Sequence, residues 1–110
     1  MTDETLAKLE ERLRQAASLE EPQRQELLQL LRTLRSEITD LSRTKAEHAA
    51  SIARFIDVST HEAIRAEANP RLRELSLDGL RSSVEGFERS HPRLVEAVNA
   101  VSNMLANIGI

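Results

Sequence analysis

Several residue types are absent or scarce in this chain of 110 residues. It has no cysteine, tryptophan or tyrosine, and only two phenylalanines, three glycines and three prolines. Without cysteine there is neither a disulfide framework nor a thiolate metal site. So few glycines and prolines supply too little turn chemistry for a many-stranded fold. These absences exclude disulfide-stapled scaffolds and argue against a β-rich architecture.

Long apolar runs are also missing. No stretch approaches the roughly 18 consecutive apolar residues expected of a membrane span. Residues 1–15 contain several acidic side chains and no apolar run, so no signal peptide is visible. The sequence therefore predicts a soluble, cytoplasmic protein with no membrane partner.

The apolar residues that are present are mostly leucine and alanine, within a hydrophobic content of 40%. Leucine and alanine lead the helix-propensity scale, whereas strands favour β-branched and aromatic residues. The length fits one domain with a modest core. We therefore expect residues 1–110 to form a single all-α domain, a small helical bundle.

The N-terminal part predicts a helical hairpin over residues 3–17 and 22–42. In the first segment, Leu6, Leu9, Leu13 and Ala16 recur at steps of three and four, which is one face of a helix. Pro22 suits the first position of the second helix. The apolar face of that helix comprises Leu27, Leu31, Leu34, Ile38 and Leu41.

Residues 43–70 form a variable helical middle with two weak points. Polar residues occupy core-type positions between Lys45 and His48, and the apolar frame is lost at residues 57–60. The pattern leaves open whether the helix breaks there. Ser59 followed by Glu62 has capping-box spacing, which predicts a new helix start near Ser59. Asn69-Pro70 then ends the segment.

Residues 72–110 carry a heptad pattern of coiled-coil character. Its a and d positions are Leu77, Leu80, Val84, Phe87, His91, Leu94, Val98, Val101, Leu105 and Ile108. Small residues flank the stripe at Gly79, Ser83, Gly86 and Ser90. Because glycine inside a helix costs about 1 kcal/mol relative to alanine, we expect close approach by another helix backbone. A loosely packed helix is the alternative.

Pro92 leaves two arrangements open for this segment. Either one helix kinks there, or one helix ends near Arg89 and another begins with Ser90 or His91 as its cap. The preserved heptad phase favours a kinked or nearly collinear pair. Gly109 has the character of a C′ residue, with Ile110 folding back, so we expect a complete helix terminus.

The candidate interaction face follows from the stripe and its small-residue flank. Its residues are Leu77, Gly79, Leu80, Ser83, Val84, Gly86, Phe87, Ser90, His91, Pro92, Leu94, Val98, Val101 and Leu105. An apolar seam beside small residues suits a partner helix. We therefore predict self-association, with a dimer as the favoured oligomeric state. Binding to an unidentified protein partner stays open.

Candidate catalytic and metal-binding groups are few. His48 and His61 lack the i, i+4 spacing of a zinc-binding histidine pair, and Arg65 stands where the second histidine of a zincin motif would be. Ser90 beside His91 has no visible third group or oxyanion hole, so a structural role is favoured. No nucleotide-binding glycine motif is present. We expect no catalytic, cofactor-binding or metal residues, and no enzyme.

The charge pattern gives little support to nucleic-acid binding, which remains the alternative function. The net charge is −3 and the signs are interleaved. Glu74 and Asp78 interrupt the nearest basic cluster, which consists of Arg71, Arg73 and Arg81. A nucleic-acid binder usually concentrates basic residues on one face. The favoured function is therefore a structural or protein-interaction module.

The C-terminal sequence resembles that of a known family. The segment Phe87-Glu88-Arg89-Ser90-His91-Pro92-Arg93-Leu94, together with the ending Leu105-Ala106-Asn107-Ile108-Gly109-Ile110, is similar to short bacterial helical proteins of unknown function that end in FE-x-SHP-x-L … LA-x-IGI. The resemblance is specific over residues 77–110 and looser over 1–42. It implies a bacterial origin and supplies no activity or catalytic residues.

Overall fold

Five α-helices account for most of the chain in a computed structural model that describes residues 2–108, with side chains from Asp3 onward. They are α1 (Thr2–Gln15), α2 (Glu21–Ser42), α3 (Ala46–Ile64), α4 (Pro70–Ser83) and α5 (Pro92–Asn107). No strand occurs within these described residues. The prediction of a small all-α bundle is confirmed.

The helices α1 and α2 form the predicted antiparallel hairpin. Arg35 in the middle of α2 donates from Nη2 to Oδ2 of Asp3, at the start of α1, over 2.9 Å. Arg24, near the start of α2, donates from Nε to the carbonyl oxygen of Leu13 over 3.0 Å. The leucines predicted to face the core in both helices are buried.

Arg24 also closes the loop between these two helices. Its guanidinium donates to the carbonyl oxygens of Ala16 and Leu19. The Ala16 carbonyl directly follows α1, where the last helical acceptors have no partner within the helix, and the Leu19 carbonyl lies in the loop just before α2. The helix α2 begins at Glu21, one residue before the predicted start at Pro22.

The middle of the chain differs from the prediction at one point. The helix α3 runs unbroken through Ser59, so the predicted helix start there is wrong. The buried Ser59 hydroxyl lies 2.6 Å from the carbonyl oxygen of Phe55 and 3.0 Å from that of Ser76 in α4. The chain does break at the other weak point, where Lys45 is the N-cap of α3.

The segment 72–110 does not form a kinked or nearly collinear helix. An eight-residue connection, 84–91, separates α4 from α5. Arg73, in the first turn of α4, donates from Nη1 to the carbonyl oxygen of Ile108, just after α5, over 2.9 Å. The two helices are therefore antiparallel, and the collinear prediction is wrong. The predicted terminus at Gly109 and Ile110 lies outside the described residues.

The heptad phase survives because the connection is itself built from turns. The amide of Phe87 donates to the carbonyl oxygen of Val84 over 3.1 Å, and that of His91 to Phe87 over 2.8 Å. These bonds keep apolar side chains at steps of three and four. Within the first of these turns, Gly86 adopts φ +93°, far from the negative φ of an α-helix. The chain direction therefore reverses while the apolar spacing persists.

The helix α5 packs against α2, α3 and α4, and α3 packs against all four other helices. The buried residues of α5 meet the leucine face of α2 in a single core. Within the described part of the chain, no helix has both the length and the hydrophobicity to cross a membrane.

Candidate functional site

The predicted C-terminal face is distributed over several environments. Most of its large apolar residues are buried in the chain's own core: Leu77, Leu80, Val84, Leu94, Val98, Val101 and Leu105. A side chain that is buried in the core contacts other helices of the same chain. These residues are therefore not available to a partner helix in the folded protein.

The two glycines of the predicted groove behave differently. A Cβ placed on Gly79 would lie 2.8 Å from Cδ1 of Phe55, closer than real Cβ atoms approach. Gly79 thus allows the Phe55 ring of α3 to approach α4 closely, whereas the predicted approach is by a helix backbone. Gly86 has nothing within 4 Å of such a Cβ. It is the reversal residue of the α4–α5 connection, so the close-packing prediction is wrong for Gly86.

The remaining small residues of the predicted face line a cleft. Ser83, Gly86 and Ser90 form part of an open cavity of about 640 Å³, and the large, mostly buried Phe87 also lines it. The other lining residues are Lys45, His48, Ser51, Phe55, Ser82 and Glu85. The Phe87 ring meets the rings of His48 and His91 edge-on, at centroid distances of 5.6 and 5.8 Å. These edge-to-face ring contacts thus join the start of α3 to the α4–α5 connection.

Ser90 and His91 interact with each other at the start of α5. Nδ1 of His91 lies 2.9 Å from Oγ of Ser90. His91 is half-buried and occupies the N-cap position, and Pro92 follows as the exposed first residue of α5. Within residues 3–108 no carboxylate is hydrogen-bonded to the His91 ring. The pair therefore joins the connection to the helix and has no orienting third group.

The other two histidines lie in different environments. His48 stacks on Phe87, whereas Nδ1 of His61 lies 2.8 Å from Nη2 of Arg12 on α1. Nowhere in residues 2–108 do three or more histidine, aspartate and glutamate side chains form a group suited to a metal ion.

The largest apolar side chains outside the core lie on α3 and α4. Phe55 and Val58 of α3 are 38% and 48% exposed, and Leu72 and Leu75 of α4 are 43% and 48% exposed. We call these four residues the α3–α4 face. None of them belongs to the interaction face predicted from the sequence.

The register of the two helices brings this face together. Ser59 hydrogen-bonds to Ser76, and Phe55 lies over Gly79, so α3 and α4 are antiparallel neighbours. Residues three apart on a helix lie about 60° apart around its axis. Phe55 and Val58 therefore share one side of α3, and Leu72 and Leu75 one side of α4. Both sides adjoin the packed helix–helix contact and face solvent.

The heptad pattern contains a signal for two residues of the α3–α4 face that the predicted interaction face lacks. Leu72 and Leu75 fall outside the a and d positions of the frame that begins at Leu77. Large apolar residues off the core stripe predict a second apolar surface. Phe55 continues the apolar frame of the preceding helix, so its exposure depends on how α3 turns after Lys45.

The clearest electrostatic effects lie away from this face, at the α1–α2 hairpin. A hydrogen bond from the Arg35 side chain holds the pKa of Asp3 below its ordinary value. Hydrogen bonds from Gln25 and Arg24 lower the pKa of Glu21. These carboxylates are ordinary ion-pair partners at the surface, and none contacts the α3–α4 face.

Fold and surface together define a small all-α bundle that carries apolar side chains outside its core. The chain belongs to the family described as Domain of unknown function (DUF4404), whose model matches residues 27–110. No curated protein and no solved structure matches the chain. The family match begins within α2 and includes α3, α4 and α5, so it covers the segment 43–70 as well as the C-terminal block.

Proposed function

We propose that this protein is a protein-interaction module that acts by helix packing and self-associates as a dimer through the α3–α4 face. The observation that carries the proposal is the exposure of Phe55, Val58, Leu72 and Leu75 on adjacent helices. The C-terminal stripe, whose heptad pattern predicts dimerisation, is packed against the chain's own helices. The dimer therefore forms through a different surface of the same C-terminal half.

The physical support comes from the free energy of apolar burial. Removing apolar surface from water contributes about 25 cal/mol per Å². Adjacent exposed apolar side chains on a small protein often mark an interaction surface. The four side chains stand on helices held by the Ser59–Ser76 contact and by the apolar core. The backbone that carries these side chains is therefore already ordered before a partner binds.

Binding without catalysis is the role that we assign to the protein. The cleft around Phe87 is lined by serine hydroxyls and by the His48 imidazole. Its Ser90 pairs with His91, but this pair lacks an orienting carboxylate in the described chain. The resemblance of residues 87–94 and 105–110 to short bacterial proteins supports a bacterial origin, and the cysteine-free sequence is compatible with the cytoplasm.

Nucleic-acid binding has less support. Arg12, Arg35 and Arg65 lie within ion-pair distance of carboxylates in the same chain. Basic residues engaged in this way do not form the continuous positive face that phosphate binding requires. A gel-shift assay at low salt should therefore show no shift that strengthens as salt falls.

Light scattering coupled to size exclusion tests the proposal directly. The monomer mass is 12.4 kDa, and we expect twice that mass for the wild-type chain at high concentration. Leu75→Glu places a charge in the α3–α4 face and should give the monomer mass with unchanged helicity. Gln29→Glu adds the same charge at an exposed position of α2 and should leave the dimer intact. A monomeric wild-type chain, or a dimeric Leu75→Glu variant, would contradict the proposal.

A further inference from the structure

A row of three side chains on α4 has opposite charges at its two ends. Arg71, Leu75 and Asp78 are spaced by four and three residues, so they lie on one side of the helix. All three are exposed. The row is basic at the N-terminal end, apolar in the centre and acidic at the C-terminal end. A second copy of α4 that runs in the opposite direction presents these charges in the opposite order.

Resting on the proposed function, we infer that two copies of α4 pack antiparallel across a two-fold axis next to Leu75. Leu75 then meets the partner's Leu75, and Arg71 lies opposite the partner's Asp78. A two-fold interface repeats each contact, so the charge pair forms twice. Arg71 and Asp78 are therefore the residues that determine how the two chains align.

The charges also disfavour the parallel arrangement. Parallel packing would place Arg71 against the partner's Arg71 and Asp78 against the partner's Asp78, which is repulsive. No close ion pair within residues 3–108 holds either residue away from a second chain. Arg71 has no ion-pair partner among residues 3–108. Asp78 has only a 3.7 Å contact with Arg81, between side chains that are both exposed.

Charge reversal tests this pairing. Arg71→Asp and Asp78→Arg each place like charges opposite one another in the homodimer, and each should raise the dimer Kd about tenfold, since two surface pairs change from attraction to repulsion. The double variant Arg71→Asp/Asp78→Arg should return to the wild-type Kd. An equimolar mixture of the two single variants should form a heterodimer, because both of its charge pairs are attractive. Sedimentation velocity and native mass spectrometry measure these outcomes.

Arg93→Asp is the matched control. Arg93 follows Pro92 in α5 as Arg71 follows Pro70 in α4, and it is exposed outside the α3–α4 face. Its reversal should leave the Kd unchanged. If Leu75→Glu dissociates the dimer but the single reversals do not, the antiparallel pairing is overturned and the proposed function stands. A monomeric wild-type chain overturns both. Failure of the double variant or the mixture to restore binding also overturns the pairing.

Discussion

The helices α4 and α5 begin with the same tripeptide and bury it differently. Pro70-Arg71-Leu72 opens α4, and Pro92-Arg93-Leu94 opens α5. Leu72 is 43% exposed, whereas Leu94 is completely buried. In both, proline stands at the first helical position, where its missing N–H costs nothing. The local sequence determines where a helix starts, and the neighbouring helices determine which of its side chains are covered.

The number of neighbours explains the difference. The helix α5 packs against α2, α3 and α4, whereas α4 packs against α3 and α5. The helix α4 therefore has an open side, on which Leu72 and Leu75 lie. Most large apolar residues of α5 are buried in the chain's own core, whereas those on the open side of α4 stay exposed, which is why we propose them as a contact with a second chain.

The largest expected effect is a difference in stability between alanine variants of the two leucines, Leu94 and Leu72. Leu94→Ala removes a fully buried side chain and should lower the free energy of unfolding by about 2–5 kcal/mol. Leu72→Ala should change it by less than about 0.5 kcal/mol in dilute solution, because the side chain is half in water. Urea titration at low protein concentration measures both variants. Equal losses would show that the two positions are equally covered.

A medium effect is expected at the reversal between the two helices. Gly86→Ala forces a side chain into a positive-φ conformation and should lower the free energy of unfolding by about 1–2 kcal/mol, although nothing lies close enough to clash. Ser82→Ala, at an exposed position of α4, should have little effect. If thermal unfolding of the Gly86→Ala variant matched that of wild type, the tight reversal between α4 and α5 would be in doubt.

The smallest effect lies outside the α4–α5 pair, at the surface contact between Arg35 and Asp3. Because the pKa of Asp3 is lowered in the folded state, this contact contributes stability above the ordinary pKa of 3.8 and loses it as the pH falls through the lowered value. Wild type should therefore melt slightly above Asp3→Asn at neutral pH, and this gap should close in acid. A constant gap from neutral pH to pH 2 would contradict the ion pair.

Much of the fold follows from residue spacing alone. Leu27, Leu31 and Leu34 recur at helical steps and are all buried, because a repeating apolar face on a polar helix has to meet a core. Asn69, which the sequence predicts only as the end of the middle segment, is the N-cap of α4, and its side-chain oxygen accepts from the amide of Leu72 over 3.1 Å. These features depend on local chemistry, which the sequence contains in full.

What the sequence does not contain is the path of the chain between helices. The spacing of Ser59 and Glu62 predicts a cap, but Ser59 is instead used in the contact with α4. Gly79 and Gly86 are equivalent in the heptad pattern, and only their surroundings distinguish a packing glycine from a turn glycine. The heptad phase is the same for a collinear pair and for a reversal through turns. The exposure of Phe55 and Val58 is a property of the assembled bundle, whereas Leu72 and Leu75 are marked in the sequence by their positions off the heptad stripe.

The sharpest test uses the absence of native cysteine, so that one introduced cysteine is the only thiol. Leu72→Cys and Leu94→Cys would be labelled with a thiol reagent in dilute and in concentrated solution. We expect Leu72→Cys to react rapidly when dilute and more slowly when concentrated, as dimerisation covers the α3–α4 face. Leu94→Cys should react slowly at both concentrations. Rapid labelling of Leu94→Cys, or a labelling rate of Leu72→Cys that is independent of concentration, would contradict the assignment of α5 to the core and of the α3–α4 face to a partner chain.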